Sequence, residues 1–401
     1  MNETVLLGFA EAISAPEVVW SLVDNGFRPV AFGRKGRRSA LRHSRHVKIH
    51  EITPPETDAK AALADLQAVL NSLKTVGGSE PTVLFPLDDA AVWLTSRLPL
   101  EAGVVLAGPS GKAAKLALDK SIQIEAARAA GFNVLPTRVA RSAAEILAQD
   151  KLPAIIKSAG AVNEAGTRLG KGKFWICETR AELENAAKQW TDGPPVLVQD
   201  FVSGVGEGIF GLAGANGVQA WSAHRRLRMM NPHGSGSSAA ISQSLSPELK
   251  EAAERFIQQT GWHGIFMIEL LRDSAGKVWF MEFNGRSWGS MALSRRQGLE
   301  YPSWNARLAL DPGFSVPQNI TGASGVVCRN LGRELMHLLF VLRGPKSHAL
   351  RRQWPSFWSA LRDVAFVRRS DCFYNWRKGD LKVFASDSYY TVRNGVFKSR
   401  D

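Results

Sequence analysis

Residues 264–290 read GIFMIELLRDSAGKVWFMEFNGRSWGS, two apolar runs of strand composition separated by the four-residue turn DSAG. This pattern predicts a β-hairpin. Pairing Arg272 with Lys277 across the turn places Phe266, Ile268, Leu270, Trp279, Met281 and Phe283 on one wholly apolar face. The other face carries Ile265, Met267, Glu269, Leu271, Val278, Phe280, Glu282 and Asn284. In this register Glu269 and Glu282 are diagonal neighbours, with Cα atoms roughly 7 to 8 Å apart, and both carboxylates reach one cation. A slip of one residue would put them on opposite faces and mix charge into the apolar set. Facing carboxylates repel unless a cation lies between them, and a carboxamide oxygen is a hard neutral ligand. Glu269, Glu282 and Asn284 are therefore candidate ligands for Mg²⁺. The competing reading is a surface hairpin with one wet face, but the apolar neighbours of the two acids argue against full solvation.

Before the hairpin, the first 110 residues alternate in βα fashion. TVLLGFA, FRPVAFG, HVKIHEI, PTVLFPLDD and GVVLAGPS read as strands, with helices between most of them. Short apolar strands separated by helices predict a parallel sheet covered on both faces. No G-x-G-x-x-G follows the first strand, so a dinucleotide fingerprint is missing and any nucleotide site lies elsewhere. From Gly108 the pattern changes. GPSGKAAKLALDKSIQIEAARAAG reads as one helix, and a block of about 200 residues mixing strands, helices and a Gly-containing loop at 159–173 leads into the hairpin.

Composition narrows the class. The chain has 401 residues, 45% of them hydrophobic, enough for two or three subdomains with their own cores. Its three cysteines are far apart and form no C-x-x-C pair, which argues against a disulfide framework or a zinc site. No apolar run approaches the roughly 18 residues of a membrane span, and the N-terminus lacks a basic leader, so the sequence reads as that of a cytoplasmic protein. The net charge is +13, and residues 331–401 hold 14 Lys/Arg against 6 Asp/Glu. Such a basic segment is a solvated face or meets an anionic partner.

The order of these pieces resembles the ATP-grasp superfamily over about residues 1–315. LALDKSIQIEAARAAGFNVLPT is similar to the helix that carries a first phosphate lysine, here Lys120, and LPAIIKSAG to the strand of the second, Lys157. VLVQDFVSGVGEGIFGL resembles the hinge, so that Gln199, Asp200, Phe201 and Val202 would line the adenine slot and Glu207 would hold the ribose. IEL and MEFNGR resemble the paired metal motif of Glu269, Glu282 and Asn284, with Arg286 beside the transferred phosphate. The resemblance implies an α/β and α+β chain: a Rossmann-like βα domain over residues 1–112, then an ATP-grasp fold of two α+β subdomains over 113–315, with a lid at about 135–200. A basic extension with helices follows over 316–401. Implied cofactors are ATP and Mg²⁺, two ions in the usual arrangement, with Mn²⁺ able to substitute.

The implied reaction is ligation: a carboxylate is activated as an acyl phosphate and captured by an amine, with ADP and phosphate released. An anionic acceptor needs a cationic host, and AHRRLRMMNPHGSGSSAA supplies it. On a strand Arg226 and Arg228 share one face and Arg225 takes the other, so Arg226 or Arg228 is the expected contact to the substrate carboxylate. The partners are then a small-molecule carboxylate and an amine, and no nucleic acid is expected. A phosphotransferase on the same scaffold is the second reading, and a nucleic-acid or membrane-binding protein with a regulatory nucleotide site is the third. In the extension, Leu350, Trp354, Phe357, Trp358, Leu361, Val364 and Ala365 recur at helical spacing, as for a helix packed on its own domain or lying on a membrane surface. DLKVFASDSYYTVRNGVF reads as a β-hairpin with an Asn-Gly turn. A homodimer and a contact of the extension with a membrane or an acidic partner stay open.

Overall fold

The computed structural model describes residues 3–77, 80–190, 193–316, 320–345, 351 and 354–397. Its N-terminal strands β1 (Thr4–Gly8), β2 (Arg28–Arg34), β3 (Lys48–Ile52), β4 (Thr82–Pro86) and β5 (Val104–Leu106) form a parallel sheet in the order β3-β2-β1-β4-β5. Val5, Leu6, Leu7, Val83, Leu84 and Phe85 are fully buried because helices cover both faces, as the unbroken apolar runs require. The strand order reverses between β1 and β4, and the acidic pair Asp88 and Asp89 follows the carboxyl end of β4.

The stretch expected as one helix from Gly111 is two, Gly111–Leu118 and Lys120–Ala129. Asp119 separates them. Its backbone turns extended to bridge Gly160, while its side chain caps the second helix by accepting from the Ser121 N–H at 2.8 Å. Lys120 thereby becomes the first residue of a helix instead of an interior one.

A four-stranded antiparallel sheet follows, made of β6 (Thr137–Ala140), β7 (Ala154–Ser158), β10 (Phe174–Cys177) and β11 (Val196–Asp200) in the order β10-β7-β11-β6. The Gly-containing loop between β7 and β10 folds as a small hairpin, β8 (Val162–Ala165) with β9 (Arg168–Lys171).

The largest sheet has seven strands in the order β16-β15-β12-β13-β14-β17-β18. They are β12 (Val205–Gly214), β13 (Gly217–Asn231), β14 (Ser235–Gln243), β15 (Gly264–Arg272), β16 (Val278–Asn284), β17 (Val327–Arg329) and β18 (Cys372–Phe373). The last two belong to the segment set apart as an extension, which therefore completes the central sheet instead of trailing from it. Its helix Leu331–Arg343 packs on β13 and β14.

Two expectations need correction. The terminal segment is a helix, Leu381–Phe397, and not a β-hairpin. Its Asn394-Gly395 pair lies within the helix, where the bare glycine lets Met336 of Leu331–Arg343 approach, while Gly332 meets the backbone of Ser388 from the other side. Close helix packing overrides the local turn signal. The second correction concerns the opening hairpin. The turn is as expected, but Arg272 pairs with Val278, and the register shifts between Glu269 and Leu270, so that Met281 is the extra residue of a bulge. Phe280 is thereby turned to the dry face opposite Leu270, and Trp279 stands opposite Leu271 on the other. Glu269 and Glu282 end up directly opposite each other, not diagonal.

Leu350 of the apolar stripe lies outside the described residues; Phe357–Ala365 is a helix as its spacing predicted. Among the described residues no helix is long and apolar enough to cross a membrane.

Candidate active site

The site face of the central sheet is fixed by cross-strand register. Gly208 of β12 stands beside both Glu269 of β15 and His224 of β13, and Glu269 beside Glu282. Directly opposed residues have Cβ atoms about 4.5–5.5 Å apart, so the carboxylates share one small volume. Each meets a cation: Arg226 Nη2 lies 2.6 Å from Glu269 Oε1, and Lys120 Nζ lies 3.1 Å from Glu282 Oε1. Asn284, buried and opposite Met267, continues the same face. A carboxylate pair already attracting two cations, with an amide beside it, is a donor set suited to Mg²⁺, which binds one or two carboxylates and completes its shell from water and phosphate. Among the described residues no group of three or more His, Cys, Asp or Glu gathers to hold a metal ion, and this site offers two carboxylates and an amide.

Lys157 of β7 reaches this cluster from the four-stranded sheet. Burial in the cleft pushes its ammonium down to about 8, with Lys120 adding to the effect and Glu282 and Glu269 opposing it. The two lysines come from different elements and face the same carboxylates.

Arg286 enters from the loop after β16. Its guanidinium makes a two-pronged pair with Asp89, Nε to Oδ1 at 2.6 Å and Nη2 to Oδ2 at 3.0 Å. Burial would lower the Arg286 value and raise that of Asp89. The pairing outweighs both, holding the guanidinium above its ordinary value and the carboxyl below its own. Asp89 was not among the expected site residues. The sequence signal was there in LDD at the carboxyl end of β4, the edge where open parallel sheets place their ligand-binding groups. Beside it Arg34 is shared by Glu11, Glu56 and Asp88 at 3.3, 2.9 and 3.2 Å, fixing the loops at that edge.

A groove of about 470 Å³ runs from the cluster between the lid and the central sheet. Its apolar end is lined by Ile155 and Ile176 of the lid, Phe201 and Val202 of the hinge, and Leu271 and Met281 of the hairpin. The bulge is what presents Met281 here. Gln199 stands opposite Ile155, on the same face of its sheet as Ile155 and Ile176, and its amide donates to Thr137 Oγ1 at 2.6 Å; Asp200, opposite Ala154 on the other face, pairs with Lys151 at 2.6 Å.

Glu207 is a further correction. It stands opposite Leu270 and Arg225, on the reverse face of the sheet from Glu269, and is buried in a two-pronged pair with Arg272 at 2.8 and 2.9 Å. Period-two alternation gives the groove-facing position to Gly206, whose missing side chain leaves room for Arg226. Arg226 and Arg228 both line the groove, but only Arg226 joins the carboxylate cluster. Arg228 is held by Glu334 of the C-terminal helix, at 2.8 and 3.0 Å. His224 lies under the cluster; burial and the Arg226 charge push its imidazole down to about 3, so it is neutral at ordinary pH.

No family model matches the chain, and no curated protein sequence matches it. Solved structures do. The L-amino acid ligase from Bacillus licheniformis matches at 16% identity with a TM-score of 0.57, over 77% of this chain and 74% of its own. N5-carboxyaminoimidazole synthetase from Staphylococcus aureus matches at 16% identity and TM-score 0.59, over 83% of each chain. The biotin carboxylase domain of Hydrogenobacter thermophilus 2-oxoglutarate carboxylase, solved with MgADP, ADP and bicarbonate, matches at 19% identity and TM-score 0.59, over 79% of this chain and 71% of its own. These neighbours are ATP-grasp proteins, and the chain has the ATP-grasp fold behind a Rossmann-like N-terminal sheet.

Proposed function

We propose that the protein is an ATP-dependent ligase that activates a carboxylate as an acyl phosphate and joins it to an amine. The observation that carries this reading is the convergence of Lys120, Lys157, Glu269, Glu282 and Arg286 on one charged cluster, which Glu269 and Arg226 join to a groove with an apolar end. Adenine fits the apolar end between the lid isoleucines and Leu271 and Met281, and the phosphates fit toward the two lysines. The fold is that of the ligases and carboxylases named above, which supports the reaction class.

Each residue then has a physical task. Glu269, Glu282 and Asn284 would hold Mg²⁺, which supplies charge neutralisation between the terminal phosphates. Lys120 and Lys157 bind phosphate oxygens as point charges. Arg226 receives the substrate carboxylate. An oxygen of that carboxylate attacks the γ-phosphorus, the bond from phosphorus to the β,γ-bridging oxygen breaks, and ADP departs. Arg286, oriented by Asp89, offsets the charge on the phosphoryl group in transit. The neutral amine next attacks the acyl carbon, phosphate leaves with the carbon–oxygen electron pair, and the nitrogen gives up a proton to solvent. Most of the rate comes from positioning and charge, because phosphoryl transfer asks for little covalent help.

Incubation with MgATP, pooled amino and hydroxy acids and pooled amines tests this. Ligation yields ADP, phosphate and a condensed mass. ADP with a stable phosphorylated product would replace the proposal by a phosphotransferase, and an absence of turnover with every pool would end it. Glu282→Gln should lower ADP release by about 100-fold or more, the scale of losing a group that acts on transition-state charge. Unchanged release would remove Glu282 from the metal site.

A further inference from the structure

The groove does not end at the central sheet. One wall is built by the C-terminal segment, through His337 of helix Leu331–Arg343, Trp354, and Ser359 and Asp363 of helix Phe357–Ala365. This wall is anchored. Glu334, one turn before His337, is buried between Arg228 of β13 and Arg329 of β17, and accepts from Ser238 at 3.1 Å. Trp354 donates to the Val341 carbonyl at 3.2 Å and lies against the His233 ring, with centroids 4.7 Å apart.

The chemistry of the wall is that of hydrogen-bond acceptors. His337 Nδ1 lies 2.6 Å from the Met229 carbonyl, an oxygen that can only accept. The proton is therefore on Nδ1, and Nε2 carries a lone pair. Burial lowers the His337 value, which keeps the ring neutral, and the Asp363 charge reaches it from the neighbouring helix. The Asp363 carboxylate is half exposed, and its one partner among the described residues is the adjacent Arg362 at 3.4 Å. On the central sheet Glu207 is on the reverse face, and Gly206, with no side chain, takes the groove position.

We propose that the C-terminal segment supplies the sugar-binding wall of the nucleotide groove, with Asp363 and His337 Nε2 accepting hydrogen bonds from the ribose hydroxyls. A vicinal diol offers two O–H donors, and this wall offers two acceptors of the required kind. The inference rests on the nucleotide reading of the groove and adds to it that the segment is part of the site.

The test compares binding of MgADP, Mg-2′-deoxy-ADP and Mg-3′-deoxy-ADP to the full chain by titration calorimetry. Wild type should bind MgADP at least tenfold more tightly than one of the deoxy analogues, because a site built to pair a hydroxyl rejects the analogue that lacks it. Asp363→Asn, at an exposed position that leaves folding intact, should weaken MgADP roughly tenfold and reduce that discrimination to about twofold or less. Ser359→Ala/Asp363→Asn should lose at least as much. MgADP affinity and analogue discrimination that both stay at the wild-type level in Asp363→Asn would overturn the inference while leaving the nucleotide site in place. A wild-type protein that binds no MgADP would instead remove the nucleotide reading and this inference together.

Discussion

Lys157 gives nucleotide binding a pH dependence that can be worked out in advance. In the free protein its ammonium titrates at about 8 because it is buried in the cleft beside Lys120. Polyphosphate oxygens would favour the charged form, returning the group toward the ordinary lysine value near 10.4. The complex then holds its proton where the free protein has lost it, so MgADP binding takes up protons above about pH 7.5 and weakens as pH rises. With values of about 8 and 10.4, uptake is roughly 0.1 proton at pH 7, 0.5 at pH 8 and 0.9 at pH 9, and affinity falls about tenfold from pH 7 to pH 9, or about 1.4 kcal/mol. The phosphate groups do not contribute, since their last ionisation, near pH 6, is complete. Calorimetry in buffers of different ionisation enthalpy measures the uptake directly. Lys157→Arg keeps a positive charge over the whole range and should flatten the profile. Flat affinity and no proton uptake between pH 7 and pH 9 in the wild type would refute the reasoning, as would an undiminished slope in Lys157→Arg.

Two further predictions concern ion pairs. Asp89→Asn should free the Arg286 guanidinium from its two-pronged partner; ADP release should fall by about 10- to 100-fold, the scale of one to two lost charge-assisted hydrogen bonds, while MgADP affinity stays within about twofold. An equal loss in both measurements would mean that Asp89 supports the fold instead of positioning Arg286. Glu334→Gln leaves Arg228 and Arg329 without their shared carboxylate in a buried setting, and removing one partner of such a network costs about 3–5 kcal/mol. Urea titration followed by tryptophan fluorescence should show that loss, and a change under about 1 kcal/mol would show that solvent and Asp371, which lies 3.3 Å from Arg329 Nη1, balance the arginines.

Much of the site was legible because its residues sit in local patterns. Glu269, Glu282 and Asn284 alternate with apolar residues on strands, where period sets them apart, whereas Lys120 and Lys157 stand out only through the resemblance of their motifs. Motif spacing points Glu207 at the groove, but strand parity turns it to the reverse face. One residue of difference reverses the face, and Gly206, which has no side chain to notice, holds the groove position. LDD at the end of β4 marks Asp89 as an edge residue, but its pairing with Arg286, 197 residues away, is recorded in no local pattern. The terminal helix was misread because Asn-Gly is a strong turn signal locally, whereas Gly395 is needed for close approach to Met336.

The sequence by itself determined the parallel N-terminal sheet and the antiparallel hairpin, since each follows from hydrophobic period and turn chemistry within a few residues. Only the tertiary structure decided the bulge that sets Glu269 opposite Glu282, the Asp89 clamp on Arg286, and the folding of the basic C-terminal segment into the groove wall. These depend on where distant segments meet, and the energy of such meetings comes from burial and ion pairing across the whole chain, which no window of neighbouring residues contains.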